Sequence, residues 1–458
     1  MGTTDLKKLL VIAYYFPPVG GGGVQRTVKF AKYLPEFGWE PIILTVKDIA
    51  YRSYDPTPIR EIPGIQIVRT GSLDPFRSGC LASKVIGRFR PERDETEVLR
   101  SFADLETRAE KRTAGTKSGY RNIAAVSKYC FVPDIQILWA PFALLKALRV
   151  CRRDGIKAVY TTSPPESAHV VGLAIKKLTG LPWVADFRDV WGSIFWRKRL
   201  PSVHRTVNAK LERCVLGHAD GLVFNTDPTL ERMRPIIGPD KPAEFIPNGF
   251  DPSDFDEYPI ERPGGDFVIV HFGNFGAGLG AVPLLRAFAE ASRENVAFGK
   301  TARLYLIGVN TAADIAEAKR LGISDQVVFA GYLPHREGLR FCKAADLLLL
   351  IMGPAFEAER VPGKLYEYMG AGGPVLAAVP EGEAARLVRS VYGKESVTGP
   401  TEIGRIARRF VEEFDIWRKG ETAAAPPDPA LISQYERRLL TSRLSALFDD
   451  VIKDTPEV

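Results

Sequence analysis

Cysteine is scarce and scattered. The 458 residues carry five, Cys80, Cys130, Cys151, Cys214 and Cys342, an odd total with no C-x-x-C pair. That argues against a disulfide scaffold or a zinc knuckle and favours a reducing compartment. Long apolar runs are missing too: the longest extend about eight to ten residues, too short to cross a bilayer. The N-terminal residues carry Asp5, Lys7 and Lys8 ahead of a short apolar strand and lack the layout of a signal peptide. A cytosolic protein is expected, one able to rest on the inner face of a membrane. No strong excess of one charge exists, since 62 Lys+Arg against 55 Asp+Glu leave +7. Aromatics are not interleaved with the bases, so nucleic acid is not an expected partner. What is present is ordinary for a folded chain: 45% hydrophobic and 26% charged residues exclude a disordered or fibrous protein. At roughly 100–200 residues per domain, two or three domains are expected.

Apolar runs alternate with amphipathic stretches. Residues 8–16 read as a strand, 19–23 as a Gly-rich turn and 24–37 as a helix. Strands follow at 40–46, 65–70, 158–163, 183–189 and 221–226, with helices near 141–153, 166–178 and 202–218. After the Pro-, Gly- and Asp-rich segment 246–266 the pattern restarts. Strands are expected at 267–273, 303–309, 326–333, 346–353 and 374–379, with helices near 281–293, from Pro362 and from Glu381. One long helix should close the chain at about 428–454. Near-continuous Val/Ile/Leu strands separated by helices indicate parallel sheets covered on both faces. The expected class is α/β, with two doubly wound, Rossmann-like domains: 1–250, a linker at 251–266, 267–425, and a C-terminal segment at 426–458. Such tandem domains hold ligands in a cleft at the carboxyl ends of their strands.

Residues 71–135 fit neither half. They are polar and rich in bases, Lys84, Arg88, Arg90, Arg100, Arg108, Lys111, Arg112 and Arg121 among them. They read as an irregular charged insertion in the first domain, either a solvated helical face or a surface that meets anionic lipid or a lipid-linked acceptor. The 141–153 stretch, with Lys146, Arg149, Arg152 and Arg153 beside apolar residues, suits the same surface.

Three constellations carry chemistry. In YYFPPVGGGGVQR (14–26), Gly20 to Gly23 separate the first strand from a helix. Glycines there let the backbone approach a ligand and leave the helix N-terminus open to an anion, or simply make a flexible turn. Gly21, Gly22 and Gly23 are thus candidates for a phosphate or sugar site. In ADFRDVWG (185–192), Asp186 and Arg188 share one strand face, with Asp189 beside them. They either tie the loop down or act as catalytic residues, supplying an acid, a base or a ligand for sugar hydroxyls at the mouth of the cleft. His169, in TTSPPESAH (161–169), is expected inside a helix and not in catalysis. The most specific stretch is EAERVPGKLYEYMGAGGPVLA (357–377). Pro362 suits the first helical position, so Glu359 falls in the loop before a helix and Glu367 in its second turn. Lys364 in the first turn opposes the helix dipole unless an anion binds there, although a solvated lysine tolerates the small penalty. A diphosphate at Lys364, a ribose diol at Glu367 and a sugar ring at Glu359 fit this spacing.

Glu359 and Glu367 form an E-x7-E pair. With it, YYFPPVGGGGVQR, SPP…ADFRDVW and IPNGFD make nearly the whole chain resemble the family-4 (group 1) retaining glycosyltransferases of the GT-B fold. The resemblance implies a nucleoside diphosphate sugar, with a UDP-sugar expected, bound by the C-terminal domain. It also implies a glycan or lipid-linked acceptor on the N-terminal domain, positioned with the sugar by Asp186, Arg188 and Asp189, no required metal, and a C-terminal helix that crosses back to the first domain. One departure stands out. The Arg and Lys that often hold the diphosphate after the first strand of the donor domain are replaced in HFGNFGAGLGAVPLL (271–285) by Asn274 and Leu279. The diphosphate would then fall to Lys364 and Arg360, and to the backbone of Gly273, Asn274 and Gly276 and of Gly363 and Leu365. The expected function is sugar transfer, hexosyl or N-acetylhexosaminyl, in cell-surface polysaccharide biosynthesis. A catalytically silent relative that binds a nucleotide sugar or scaffolds a synthesis complex is the alternative. An NAD-dependent oxidoreductase lacks its G-x-G-x-x-G spacing after either first strand.

Overall fold

The computed structural model describes residues 6–47, 54–75, 77, 99–112, 130–189, 191–193, 200–256, 259–262, 264–275, 279–308, 310–354, 356, 358–420 and 427–453. The chain forms two compact units. One holds Met1–Arg93, Lys117–Asn248 and Arg437–Val458, and the other Asp94–Thr116 and Gly249–Glu436.

The first unit contains β1 (Lys7–Ile12), β2 (Trp39–Val46), β3 (Ile67–Thr70), β4 (Ala158–Ser163), β5 (Trp183–Phe187), β6 (Gly221–Phe224) and β7 (Ala243–Phe245). They form one sheet in the order β3-β2-β1-β4-β5-β6-β7, every pairing parallel. All six residues of β4 are buried, which a strand achieves only with cover on both faces. The strand order reverses between β1 and β4. The loops leaving these two strands, with Gly21–Gly23 and Ser163–Pro165, therefore flank the switch point where doubly wound sheets bind ligands.

The second unit contains β8 (Phe267–Phe272), β9 (Ala302–Ile307), β10 (Val327–Gly331), β11 (Leu347–Ile351), β12 (Val375–Ala378) and β13 (Val397–Thr398). Their order is β10-β9-β8-β11-β12-β13, again all parallel. The switch point lies between β8 and β11, so the loops after Phe272 and after Ile351 are the ones expected to meet a ligand. Two apolar layers, one on each face of this sheet, make up its core.

The structure departs from the sequence reading in three places. The C-terminal segment is not one helix. A turn at Pro429–Ile432 and a 3-10 turn at Ser433–Tyr435 precede the helix Arg437–Lys453. Glu436 is extended (φ −66°, ψ 132°), and the Tyr435 carbonyl accepts from the Phe250 N–H at 3.1 Å, which takes it out of any helical ladder. Beyond that break the helix joins the first unit, as the GT-B architecture requires. There Leu440, Leu444, Leu447, Phe448 and Val451 pack with Leu9, Val11, Val28 and Ile43. The second departure is the charged insertion, whose residues 94–116 group with the second unit and not the first. Its helix Phe102–Arg112 buries Phe102 against Tyr305 and Phe341, with ring centroids 4.6 and 5.0 Å apart. Tyr305 also donates to Glu106 Oε1 at 2.6 Å. An apolar stripe, not a solvated face, decides where this segment goes. Lys84, Arg88, Arg90 and Arg121 lie outside the described residues, as do the side chains of Lys111 and Arg112. Third, the helices Asp227–Ile237 and Ile403–Arg418 and the strands β7 and β13 are present but absent from the sequence reading.

Candidate functional site

In the second unit the site is built on the helix Gly363–Ala371. Pro362 is its N-cap and not its first helical residue, because its ψ of 138° is extended. Lys364, in the first turn, donates from Nζ to the Asn274 carbonyl at 3.0 Å and lies 3.4 Å from His271 Nε2. His271 Nδ1 is 2.9 Å from the Leu349 carbonyl, which only accepts. The ring hydrogen therefore sits on Nδ1, and Nε2 accepts from the lysine. Burial and the nearby Lys364 hold His271 well below its ordinary pKa, so it is neutral. Burial also lowers the Lys364 ammonium to about 8, while Glu367 pulls the other way. Gly273 makes the approach possible. Its φ is +99°, and a Cβ there would stand 3.3 Å from the end of the Lys364 side chain. Tyr368 ties the frame together, its hydroxyl accepting from the Phe272 N–H at 2.9 Å and donating to the Leu349 carbonyl at 3.0 Å.

One turn on, Glu367 Oε1 lies 2.7 Å from His335 Nε2. The structure thus brings Gly273, Asn274, Gly363, Lys364 and Glu367 around the N-terminus of one helix. Leu365 does not join them through its side chain. It is fully buried in the core and its N–H donates to the Pro362 carbonyl at 3.1 Å, so it anchors the helix. Arg360 is exposed and lays its guanidinium over the Phe356 ring at 5.0 Å. Glu359 is half-buried in a loop held by the Ala358 carbonyl, which accepts from the Glu383 N–H at 2.6 Å. Leu279, where a cation was looked for, packs on the apolar core. Gly276 lies outside the described residues.

In the first unit, register explains a second cluster. Thr162 on β4 pairs with Asp186 on β5, and Tyr160, two residues earlier, shares its face. Both hydroxyls donate to Asp186 Oδ2, at 2.9 and 2.6 Å. Arg26, on the helix Gly22–Tyr33, completes the cluster by donating from Nε and Nη2 to the two carboxylate oxygens, each at 2.9 Å. Arg26 and Asp186 are 1% and 0% exposed. Burial pushes the Asp186 carboxyl up, but Arg26, Tyr160 and Arg188 together outweigh it and the net shift is downward. The expectation that Asp186 meets an acceptor or sugar directly is thereby corrected: no face of it is open, and it locks β5 to the first helix.

Arg188 holds the loops. Its guanidinium donates to the carbonyls of Gly23, Ser163 (2.6 Å) and Pro164 (3.0 Å), fastening both switch-point loops. Gly21 precedes the helix at φ +101°, and Gly22 and Gly23 are exposed in its first turn. Asp189 is half-buried beside Arg188. His169 is buried in the helix Ser167–Thr179. The Thr161 hydroxyl accepts from Trp183 Nε1 at 2.9 Å and lies 2.8 Å from His169 Nδ1, while burial lowers the imidazole to about 3. Arg26 and His335 were missed from the sequence. Arg26 lies among other buried polar residues of its helix, Gln25, Thr27 and Lys29, so no local pattern singled it out, and none marked His335.

The comparisons with known proteins bear on the family and the fold. The family profile described as "Glycosyl transferase 4-like domain" matches residues 21–249, and "Glycosyl transferases group 1" matches residues 266–402. HepE of Anabaena, solved with UDP and glucose, superposes with a TM-score of 0.62 at 16% identity, covering 97% of this chain and 100% of that one. Sucrose-phosphate synthase of Thermosynechococcus elongatus gives 0.56 at 16% identity, covering 98% and 96%. WaaG, a glycosyltransferase involved in lipopolysaccharide biosynthesis, gives 0.52 at 14% identity, covering 98% and 100%. At such identities the likeness shows a shared fold. No curated protein matches the chain in sequence. Two profiles in tandem, on the two doubly wound units of a GT-B fold, place this chain in the group 1 glycosyltransferase family, as an enzyme that transfers sugars.

Proposed function

We propose that this enzyme takes a hexosyl or N-acetylhexosaminyl group from a nucleoside diphosphate sugar, with uridine as the base. The acceptor is a glycan or a lipid-linked saccharide, the configuration is retained, and the setting is cell-surface polysaccharide biosynthesis. The observation that carries the reading is Lys364. A partly buried cation in a first helical turn, whose ammonium donates to a carbonyl and a neutral imidazole and is lowered to about 8, is stabilised by an arriving anion. A diphosphate there meets the ammonium and the backbone N–H groups of the Gly363 turn and the Gly273 loop. Glu367 accepts the ribose hydroxyls, and Glu359 steadies the donor sugar. HepE, which shares the fold, has been crystallised with UDP and with UDP-glucose, which supports the donor class.

In the reaction the bond from the anomeric carbon to the diphosphate oxygen breaks and the nucleoside diphosphate leaves. The acceptor oxygen bonds that carbon on the same face, and its proton passes to a phosphate oxygen. The charge developing on the leaving group falls to Lys364 and the helix N-terminus, so no metal is required and transfer continues in chelator. Arg188 and Asp189 position the acceptor, and Asp186 acts by holding Arg26 and the end of β5. Glu367→Ala weakens nucleotide binding in calorimetry at least about tenfold, by loss of charged hydrogen bonds. Glu359→Ala chiefly lowers turnover in a sugar-transfer assay. Unchanged affinity and rate in both variants would sink the assignment.

We further propose that the enzyme works on the cytoplasmic face of an anionic membrane. No helix among the described residues is long and apolar enough to cross one. The helix Ala140–Asp154 exposes Phe142 and Leu145 on the surface that also exposes Arg149, Arg152 and Arg153, a pattern suited to lipid headgroups.

A further inference from the structure

We infer that His335 is a positioning residue for the nucleoside half of the donor, acting through Glu367. The inference rests on the donor-site reading above and adds to it a group from a separate loop, 32 residues away in sequence.

His335 opens the helix His335–Lys343, directly after the loop that leaves β10. Its side chain is 7% exposed and that of Glu367 13%, with 2.7 Å between Nε2 and Oε1. An ionised carboxylate only accepts, so the imidazole donates from Nε2. The helix carrying the imidazole has little room to shift. At Gly338 the backbone approaches the Phe272 ring so closely that a Cβ would stand 2.2 Å from it. On the same turn Glu337 Oε1 accepts from the Leu99 N–H at 2.9 Å. The donor is therefore fixed to the end of β8, the strand that also places Gly273 and Asn274.

Glu367 needs such a fixture. A glutamate has three rotatable bonds, and holding two vicinal hydroxyls requires its carboxylate plane to be set before the ligand arrives. Lys364, one turn earlier, directs its ammonium to the Asn274 carbonyl, while His335 lies at hydrogen-bond distance from the Glu367 carboxylate. The site thus divides its work. Lys364 and the helix N-terminus take the phosphates, while the His335–Glu367 pair takes the sugar of the nucleoside. Glutamine reaches about as far as Nε2 of histidine and keeps an N–H donor, whereas leucine keeps the bulk and loses it.

The test is calorimetry of the full-length wild type, His335→Leu and His335→Gln with three probes: UDP, 2′,3′-dideoxy-UDP and inorganic pyrophosphate. His335→Leu is expected to bind UDP about tenfold more weakly and His335→Gln to recover to within about threefold of wild type. Dideoxy-UDP and pyrophosphate should bind all three proteins alike, and in transfer assays the donor KM should rise with kcat nearly unchanged. An equal loss for all three probes, as general damage to the site would produce, overturns the inference. So does an undiminished affinity of His335→Leu for UDP. A wild type that binds UDP and its dideoxy analogue equally well overturns the Glu367–ribose reading itself, and the inference with it.

Discussion

Raising the pH from 7 to 9 should loosen the grip on a nucleoside diphosphate, and Lys364 sets by how much. Its ammonium is lowered to about 8 because it is buried against neutral acceptors. A bound diphosphate restores it to at least the unperturbed value of about 10.4, so the complex keeps its proton where the empty site has lost it. Binding then weakens by the factor 1 + 10^(pH − 8), which is about 1.1 at pH 7 and about 11 at pH 9, a loss of about 1.4 kcal/mol. At pH 9 each binding event takes up about 0.9 proton, measurable by calorimetry in buffers of different ionisation enthalpy. His271 does not blur the result, since it is held neutral far below this range. Lys364→Arg stays charged throughout, so its affinity should be flat from pH 7 to 9. A wild-type affinity that does not fall, or an arginine variant that falls as steeply, would refute the argument. The same depressed value makes fold stability rise with pH between about 8 and 10.4, so binding and not melting temperature is the quantity to follow.

Other outcomes follow from the buried groups and the surface. Arg26→Ala leaves the Asp186 carboxylate buried without its main partner and should cost about 3–5 kcal/mol in denaturant unfolding; a loss under about 1 kcal/mol would show the pair to be dispensable. His169 is lowered to about 3 in the fold, below an unfolded value of about 6.5, so its contribution is complete above that pH and fades as the pH drops toward 3. Between pH 7 and pH 5 this removes about 2 kcal/mol, and His169→Gln should flatten that part of the stability profile. Sedimentation with vesicles containing phosphatidylglycerol should bring the enzyme down, Leu145→Asp should leave it in the supernatant, and neutral phosphatidylcholine vesicles should fail with both. Equal binding to both lipids would remove the charge argument.

Most of the fold was legible because many of its strands, such as β4, β5, β8 and β11, are buried along their whole length and helices follow most strands in turn. The reading of residues 158–163 and 202–218 coincides with β4 and the helix Ser202–His218. The relation of Lys364 to Glu367 was legible for a simpler reason: both lie on one helix, whose period fixes their spacing. What stayed hidden depends on contacts across long stretches of chain. Arg26 meets Asp186 across 160 residues, and nothing local to ADFRDVWG says that its first aspartate will be sealed by a helix near the N-terminus. Strand alternation placed Asp186 and Arg188 on one face but could not tell which would be covered. The helix Phe102–Arg112 was obscured by its charge, although the buried residues Phe102 and Leu105 decide where it docks. β13, two residues long, offers too little pattern for any periodicity to be seen.

The helix Arg437–Lys453 has a consequence for how the chain is made. It supplies Leu440, Leu444, Leu447, Phe448 and Val451 to the core layer that also holds Leu9, Val11 and Trp39, and Asp449 binds Lys7 at 2.6 Å. The unit translated first is therefore completed last. A ribosome must finish the whole second unit before the final turns emerge to close the apolar face left open on the first. Until then that face is exposed to chaperones and to other nascent chains, so translation, which usually lets an N-terminal domain fold early, here delays it until the helix Arg437–Lys453 has emerged.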